Sequence, residues 1–227
     1  MKVYTDIAKV KAEWDKFNVS DFIHSSFLEV FYINHPKIKH LFVINKDMRL
    51  YAHIFELRFD KIVRYLRNKR LGLFVKFLKF DVLYLTNSFI TNIPAFASKN
   101  KINLDKFLSV LQYNYTLLVL PDFVFNNITT EKNEFCKIEV EGDMVLEIHN
   151  KWCDLDSYIS DFRKKYRKKI KKFLNSSSEI EIRPMNANDL VFYSDNIKDL
   201  FSQVINESKF SGPLFNTDSF LSLVKKD

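Results

Sequence analysis

A run of ten residues, 163–172, carries the strongest chemical signal in the chain. It reads RKKYRKKIKK and holds eight Lys or Arg with no acid. Arginine binds two oxygens of a phosphate at once through its planar fork, and lysine supplies a compact point charge. Such a run predicts a site for anionic groups of nucleic acids, membrane lipids or phosphorylated small molecules. The same charges would also suit the solvated face of an amphipathic helix, and the run alone leaves these alternatives open.

The excess positive charge is confined to this run. The 227 residues carry a formal net charge of +7, and the run contributes +8, so the rest of the chain contributes 7 − 8 = −1. A general nucleic-acid-binding protein usually spreads its positive charge over several elements. The distribution therefore disfavours that function without excluding it.

Glycine and cysteine usage excludes several classes of site. The three glycines, Gly72, Gly142 and Gly212, are too far apart for any two to share one loop. A P-loop, a dinucleotide-binding loop and a glycine-rich pyrophosphate loop all need neighbouring glycines, so none is expected. Cys136 and Cys153 have no metal-ligand spacing, and we expect reduced thiols and no metal site.

Spacing assigns no catalytic side chain. The five histidines are scattered, and none forms a recognisable pair with a nucleophile or with another histidine, so we expect structural or surface roles for each. They are His24, His35, His40, His53 and His149.

The basic run lies on a predicted amphipathic helix at residues 154–174. Apolar residues recur there mainly at spacings of three and four and form one stripe, while Lys and Arg occupy the other faces. We expect Tyr166, which belongs to the stripe, to face a core rather than to stack on a base or a sugar. The sequence NSSSE then ends the helix. The stripe comprises Leu155, Tyr158, Ile159, Phe162, Tyr166, Ile170, Phe173 and Leu174.

The first 150 residues alternate between helical and strand patterns. The predicted helices are 5–17, 21–34 and 103–114, the last capped by Asn103. The predicted strands are 41–44 and 50–59 around a turn at 45–48, one or two within 75–85, a buried one within 115–125 that Pro121 ends, and a hairpin or two successive strands within 135–148. This alternation predicts an α/β (mixed α+β) domain whose mixed sheet is flanked by helices.

The last residues read as a strand at 179–183 and two helices. The first helix covers 186–209 with Asn186 or Asn188 as its N-cap, and the second has Thr217 or Asp218 as its N-cap. The N-terminus has no apolar signal segment, and no stretch approaches the about 18 apolar residues that would span a bilayer. We therefore expect a cytoplasmic protein without a transmembrane segment.

Two stretches carry a family resemblance. The sequence EIEIRPMNANDL with its following helices resembles the opening of a GNAT N-acetyltransferase fold. The preceding LDSYISDFRKKYRKKIKKFLNSSSEIEIR is similar to the connector between the two GNAT-like halves of Fem-type peptidoglycan aminoacyl transferases and related acyl-CoA N-acyltransferases. The resemblance covers residues 154–226, with looser likeness before them. It implies a first GNAT-like domain at 1–150, a basic connector at 151–178 and the start of a second GNAT-like module at 179–227.

The resemblance also implies a reaction, the transfer of an acyl or aminoacyl group to an amine, in this family on a cell-wall precursor. The donor would be acyl-CoA or aminoacyl-tRNA. The family's motif arginine matches Arg167, which implies that this residue and its basic neighbours bind an anionic substrate or contact tRNA. These neighbours are Arg163, Lys164, Lys165, Lys168 and Lys171.

The resemblance leaves open whether the chain is catalytic alone. The family's second half continues through a central sheet that completes the donor site, and its glycine-bearing donor loop has no counterpart among the three glycines. An incomplete second module would pair with another chain through the strand at 179–183. The alternative of another class is a non-enzymatic binding module that uses helix 155–174 against nucleic acid or an anionic membrane.

Overall fold

The computed structural model describes residues 1–17, 20–59, 77–90, 93–132, 134–138, 145–177, 180–207 and 213–224. The chain divides into two compact units. The larger unit comprises Met1–Asn133 and Asn186–Asp227, and the smaller unit comprises Glu134–Met185. The larger unit has the predicted mixed α/β class, with a sheet of parallel and antiparallel strands flanked by helices.

The described residues form eight strands and nine α-helices. The strands are β1 (Lys2–Tyr4), β2 (Lys39–Asn45), β3 (Met48–Arg58), β4 (Lys79–Tyr84), β5 (Phe96–Ser98), β6 (Ile102–Asn103), β7 (Leu117–Val119) and β8 (Ile128–Thr129). The helices are α1 (Lys11–Trp14), α2 (Ser25–Asn34), α3 (Leu104–Val110), α4 (Asp122–Phe125), α5 (Leu155–Ser160), α6 (Lys164–Ser176), α7 (Ala187–Phe192), α8 (Ser194–Glu207) and α9 (Asp218–Val224). Short 3-10 helices, Ile7–Lys9 and Asp21–Ile23, precede α1 and α2.

The sheet is built around the hairpin of β2 and β3. Its register places Asn45 opposite Met48 and His40 opposite His53, so the predicted turn at 45–48 is confirmed. The strand order is β1-β2-β3-β4-β7, and β5 also pairs with the start of β3. Within this sheet β7 runs parallel to β4, whereas the other pairs are antiparallel. A separate short sheet pairs β6 with β8.

Apolar side chains cover both faces of the sheet. Successive strand residues point to opposite faces, and β2 and β3 are buried along most of their length, as is usual for strands covered on both sides. On one face Leu50 packs in a cluster with Phe107 of α3. On the other face Phe42 meets the ring of Trp14 edge-to-face, and the Trp14 Nε1–H donates to the carbonyl of Ile23 at 2.7 Å.

The helices at the end of the chain belong to the larger unit, and hydrogen bonds join this part of the chain to α2. The Asn34 Nδ2 group donates to Ser222 Oγ at 3.2 Å, and Asn216 Nδ2 donates to the Asn34 carbonyl at 3.2 Å. Asn186 caps α7 in a reciprocal capping box with Asp189, so the first of the two expected caps is confirmed. The expected boundaries after residues 150 and 178 stay predictions. That residues 179–227 begin a second GNAT-like module stays a prediction.

The smaller unit contains two helices where the sequence predicted one. Asp154 caps α5 in a capping box with Ser157, and the helix ends at Ser160. The chain then turns, because the Asp161 carboxylate accepts from Lys151 Nζ and from Trp152 Nε1–H before α6 begins. The predicted helix at 154–174 is therefore divided into α5 and α6. The predicted helix at 186–209 is likewise divided, into α7 and α8.

Several predicted strands are absent from the described residues or shorter than expected. Residues 180–183 form no strand, and the side chains of Ile180 and Ile182 are exposed because no described strand lies beside them. Residues 135–138 and 145–148 also form no strand, and 139–144 lie outside the described residues. In place of the predicted buried strand at 115–125 stands β7, whose residues are partly exposed, followed by α4.

Two smaller differences concern the first 90 residues. The predicted helix at 5–17 forms as the 3-10 helix Ile7–Lys9 followed by α1, a single turn. The pattern at 75–85 gives one strand, β4, in the described residues, and 75–76 lie outside them. The helices predicted at 21–34 and 103–114 form as α2 and α3, and Asn103 caps α3 through its side chain as expected.

Candidate functional site

The six basic residues expected to bind anions lie on α6 or directly before it. Arg163 occupies the N-cap position, and the other five belong to the first two turns of the helix. Arg167 is half-buried and the others are exposed. Within the described residues, none of the eight basic side chains of the run pairs with a carboxylate. The structure thus gathers the charges on one helix without neutralising them.

The apolar stripe of the same helix is not covered. Tyr166 is 51% exposed and Phe173 is 67% exposed, and α6 has no buried residue. The expectation that Tyr166 faces a core is therefore wrong. Helix α6 is nevertheless amphipathic, because its apolar residues fall on one side at about 3.6 residues per turn. These residues are Tyr166, Ile170, Phe173 and Leu174.

A second candidate lies in the larger unit, where the fold brings three histidines together. His40 and His53 are directly opposite one another on β2 and β3, with ring centroids 5.1 Å apart. His35 follows α2, and its backbone carbonyl accepts from the His40 ring at 3.1 Å. All three side chains are buried. The expectation that the histidines are scattered without pairing is wrong for these three.

The hydrogen-bond partners determine where His40 carries its proton. A carbonyl oxygen only accepts, so the His40 Nε2–H donates to the His35 carbonyl. His40 Nδ1 then accepts from the Tyr51 hydroxyl at 2.7 Å. Burial lowers the pKa of His40 to about 4 and raises the pKa of Tyr51 well above its ordinary value. His40 is therefore a neutral imidazole at pH 7.

His35 is held in the opposite tautomer. The backbone N–H of Asn216 donates to His35 Nε2 at 2.8 Å, and the His35 Nδ1–H donates to the Phe31 carbonyl at 3.0 Å. Burial lowers the pKa of His35, so this residue is also neutral at pH 7. Its ring stacks on Phe89 with centroids 4.0 Å apart. His35 thus joins α2, the loop after β4 and the loop before α9.

His53 differs from the other two because one of its ring nitrogens has no partner. Its Nδ1 lies 3.0 Å from Ser88 Oγ, whereas Nε2 is buried without a hydrogen bond. Burial, with smaller contributions from His40 and His35, lowers the pKa of His53 well below its ordinary value. A buried polar nitrogen without a partner costs free energy in the folded state and requires an explanation.

The loop after β4 supplies a second buried nitrogen of this kind. Asn87 Oδ1 accepts from the backbone N–H of Phe89 at 3.1 Å, which fixes the orientation of the amide. Asn87 Nδ2 is buried and has no hydrogen-bond partner. Asn87 is the neighbour of Ser88, which contacts His53, and His53 lies opposite Tyr84, the last residue of β4, so both residues lie near the carboxyl end of that strand. A third buried unpartnered atom of the described residues, Ser219 Oγ, lies on α9.

These two groups have complementary chemistry. An amide N–H donor that already stands in a buried site polarises a carbonyl oxygen without reorganising. A neutral imidazole accepts a proton from a group that becomes acidic during reaction. Together Asn87 and His53 could support addition of a nucleophile to a carbonyl. Phenylalanine rings border this region: Phe31, Phe89 and Phe215.

A metal centre is not part of either candidate. In the described part of the chain, no group of three or more His, Cys, Asp or Glu is arranged to hold a metal ion. Among the same residues, no helix combines the length and apolarity needed to cross a bilayer.

Comparison with known proteins gives no relative. No family model matches the chain, and no curated protein or solved structure is significantly similar to it.

Proposed function

We propose that the larger unit catalyses or assists N-acyl transfer, in which an amine attacks the carbonyl of an activated acyl or aminoacyl group. The observation that carries the proposal is the pair of buried, unpartnered nitrogens, Asn87 Nδ2 and His53 Nε2, beside the carboxyl end of β4. Such a pair suits a carbonyl that gains negative charge while an amine loses a proton.

The sheet supports this location. Ligands of open sheets with parallel strands commonly bind beyond the carboxyl ends of those strands. In the described residues of the main sheet, β4 and β7 are the parallel pair, and Asn87 follows β4 directly. A mixed sheet flanked by helices also agrees with the architecture that the resemblance to N-acyltransferases implies.

Each residue has a defined task in the proposed reaction. Asn87 Nδ2 donates to the acyl oxygen and stabilises the negative charge that develops on it. His53, which the low pKa keeps neutral, accepts the proton that the attacking nitrogen loses. Ser88 holds the His53 ring through Nδ1. The tetrahedral intermediate then expels the thiol of coenzyme A or the ribose hydroxyl of tRNA, which leaves with that proton.

The proposal places the reaction in the cytoplasm, where acyl-CoA and aminoacyl-tRNA are available as donors. The free, exposed cysteines Cys136 and Cys153 agree with a reducing compartment. The acceptor would be an amine on an anionic small molecule or cell-wall precursor. That Arg167 and its basic neighbours in the smaller unit bind an anionic group stays a separate prediction. Pairing of the chain with a second one stays part of the proposal.

The test is a mass-spectrometric screen for acylated amines, with acetyl-CoA, longer acyl-CoA and aminoacyl-tRNA as donors. Wild-type protein is compared with Asn87→Asp, which keeps the acceptor for the Phe89 N–H but removes the amide donor. Loss of one donor to a developing oxyanion costs about 100-fold or more in rate. We expect a loss of this size in Asn87→Asp.

A matched control separates catalysis from folding. Asn100→Asp makes the same chemical change at an exposed position and should leave the rate unchanged. Circular dichroism of both variants checks that the fold is retained. The proposal is refuted if no donor gives an acylated amine above the protein-free rate, or if folded Asn87→Asp is as active as wild type.

A further inference from the structure

The basic helix α6 combines charge and exposure in a way that acyl transfer does not require. Seven of its thirteen residues are Lys or Arg, and Arg163 precedes them. From residue 162 to residue 178 the sequence contains no acid. These cations also lack carboxylate partners in the described residues. They are therefore available to bind an anionic group outside the protein.

The opposite side of α6 is apolar and faces solvent. Tyr166 and Phe173 are more than half exposed, and Leu174 is 39% exposed. Leaving these side chains in water costs free energy that burial in an apolar phase would recover. A surface that accepts α6 must therefore offer negative charge and an apolar layer together.

We propose that α6 lies on the surface of an anionic phospholipid membrane. Its stripe inserts to the level of the upper acyl chains, and its Lys and Arg side chains contact the lipid phosphates. Arg167 and Lys169 flank the stripe on its two sides and extend from the apolar layer to the headgroups. This inference concerns α6 alone and stands whether or not the chain transfers acyl groups.

The stripe favours a membrane over nucleic acid. Phosphates of a nucleic acid would satisfy the cations, and exposed bases would stack on Tyr166 or Phe173. Ile170 and Leu174 belong to the same stripe, however, and aliphatic side chains offer no ring for stacking. The acyl region of a bilayer accepts aromatic and aliphatic side chains alike. A membrane therefore accounts for all the residues of the stripe.

Vesicle co-sedimentation with the full chain tests this inference. The vesicles are phosphatidylcholine alone, or phosphatidylcholine with about one third phosphatidylglycerol. We expect binding to the anionic vesicles, weak binding to the neutral ones, and loss of binding at high salt. The triple variant Lys164→Gln, Lys168→Gln, Lys172→Gln should weaken binding about 100-fold, and Tyr166→Gln with Phe173→Gln should weaken it at least about tenfold.

Matched controls lie in the larger unit. Lys37→Gln, Lys46→Gln, Lys106→Gln removes the same charge from exposed positions, and Phe192→Gln removes an exposed ring, and both should bind like wild type. Absence of binding to anionic vesicles overturns the inference. It is equally overturned if the Tyr166 and Phe173 variant binds vesicles as wild type does while duplex DNA binds with the same charge dependence, since α6 would then be a general polyanion surface.

Discussion

At the scale of single residues, hydrogen-bond partners assign a state to each buried histidine. The carbonyl of His35 requires a proton on His40 Nε2, and the N–H of Asn216 requires a bare Nε2 on His35. Both residues are thereby neutral, and each is held in one tautomer. His53 has a free nitrogen, and this difference is why we place the chemistry there.

The buried histidines predict acid sensitivity. The pKa of His40 is about 4 in the folded chain against 6.5 ordinarily, so on acidification the unfolded chain takes up the proton first. Stability is therefore complete above about pH 6.5 and is lost as the pH falls toward 4. His40 alone would account for about 3 kcal/mol of this loss in the free energy of unfolding. Urea unfolding between pH 7.5 and 4 measures it.

His40→Gln is the control for this prediction, because glutamine keeps a donor for the His35 carbonyl but does not titrate. Its free energy of unfolding should fall less between pH 6.5 and 4 than that of wild type. Equal stability of the wild-type chain at pH 7 and pH 5 would contradict the assignment of buried, neutral histidines.

The pairing of His40 with His53 could have been predicted from the sequence. A turn centred between Lys46 and Asp47 pairs residues whose numbers sum to 93, and this pairs 40 with 53. We predicted the turn without deriving the register. The approach of His35, Ser88 and Asn216 could not be predicted in this way, because these residues come from loops whose positions depend on long-range packing.

At the scale of elements, short-range sequence patterns predicted the helices and strands best. The hairpin, α2, and the caps Asn103 and Asn186 all follow from short-range patterns of apolar spacing and side-chain hydrogen bonding. Of the strand predicted at 179–183, the described residues 180–183 form no strand, because alternation alone does not make one and a neighbour must supply hydrogen bonds. Residue 179 lies outside the described residues. The division of helix 154–174 depends on contacts of Asp161 that no helical pattern encodes.

The cap of α7 gives a test at this scale. Asn186→Ala removes the side-chain oxygen that accepts from the backbone N–H of Asp189 and should lower the free energy of unfolding by about 1 kcal/mol. The backbone N–H of residue 186 can still donate to the Asp189 carboxylate. Asn188→Ala changes the alternative cap, which lies inside the helix, and should cost nothing. Urea unfolding of both variants compares them. A larger loss in Asn188→Ala would show that α7 begins elsewhere.

At the scale of the whole molecule, an aromatic group around Phe215 packs the last helices into the larger unit, in addition to the hydrogen bonds of Asn34 and Asn216. The Phe215 ring contacts Phe31, His35 and Phe89, with centroids 5.7–6.4 Å away, and also Phe201 of α8. The sequence alone did not predict this, since about 180 residues separate Phe215 from α2 and no local pattern specifies the contact.

Phe215→Ala should release α7–α9 from the rest of the larger unit. The loss of a partly buried ring is expected to cost about 2 kcal/mol. Hydrogen exchange followed by mass spectrometry should show faster exchange in 187–207 and 218–224, with β2 and β3 unchanged. Phe192→Ala removes an exposed ring from α7 and serves as the control. Equal protection in both variants would contradict this role of Phe215.

The proposed acyl transfer requires contact between Asn87 and an acyl carbonyl. The most direct measurement is the NMR signal of the Asn87 side-chain amide on addition of an acyl-CoA analogue whose thioester sulfur is replaced by methylene. This analogue keeps the carbonyl but cannot transfer the group, and S-ethyl-CoA, which lacks the carbonyl, is the control. We predict a downfield shift of one Asn87 amide proton with the first compound only. No shift, or the same shift with both compounds, would contradict the proposed acyl-transfer site.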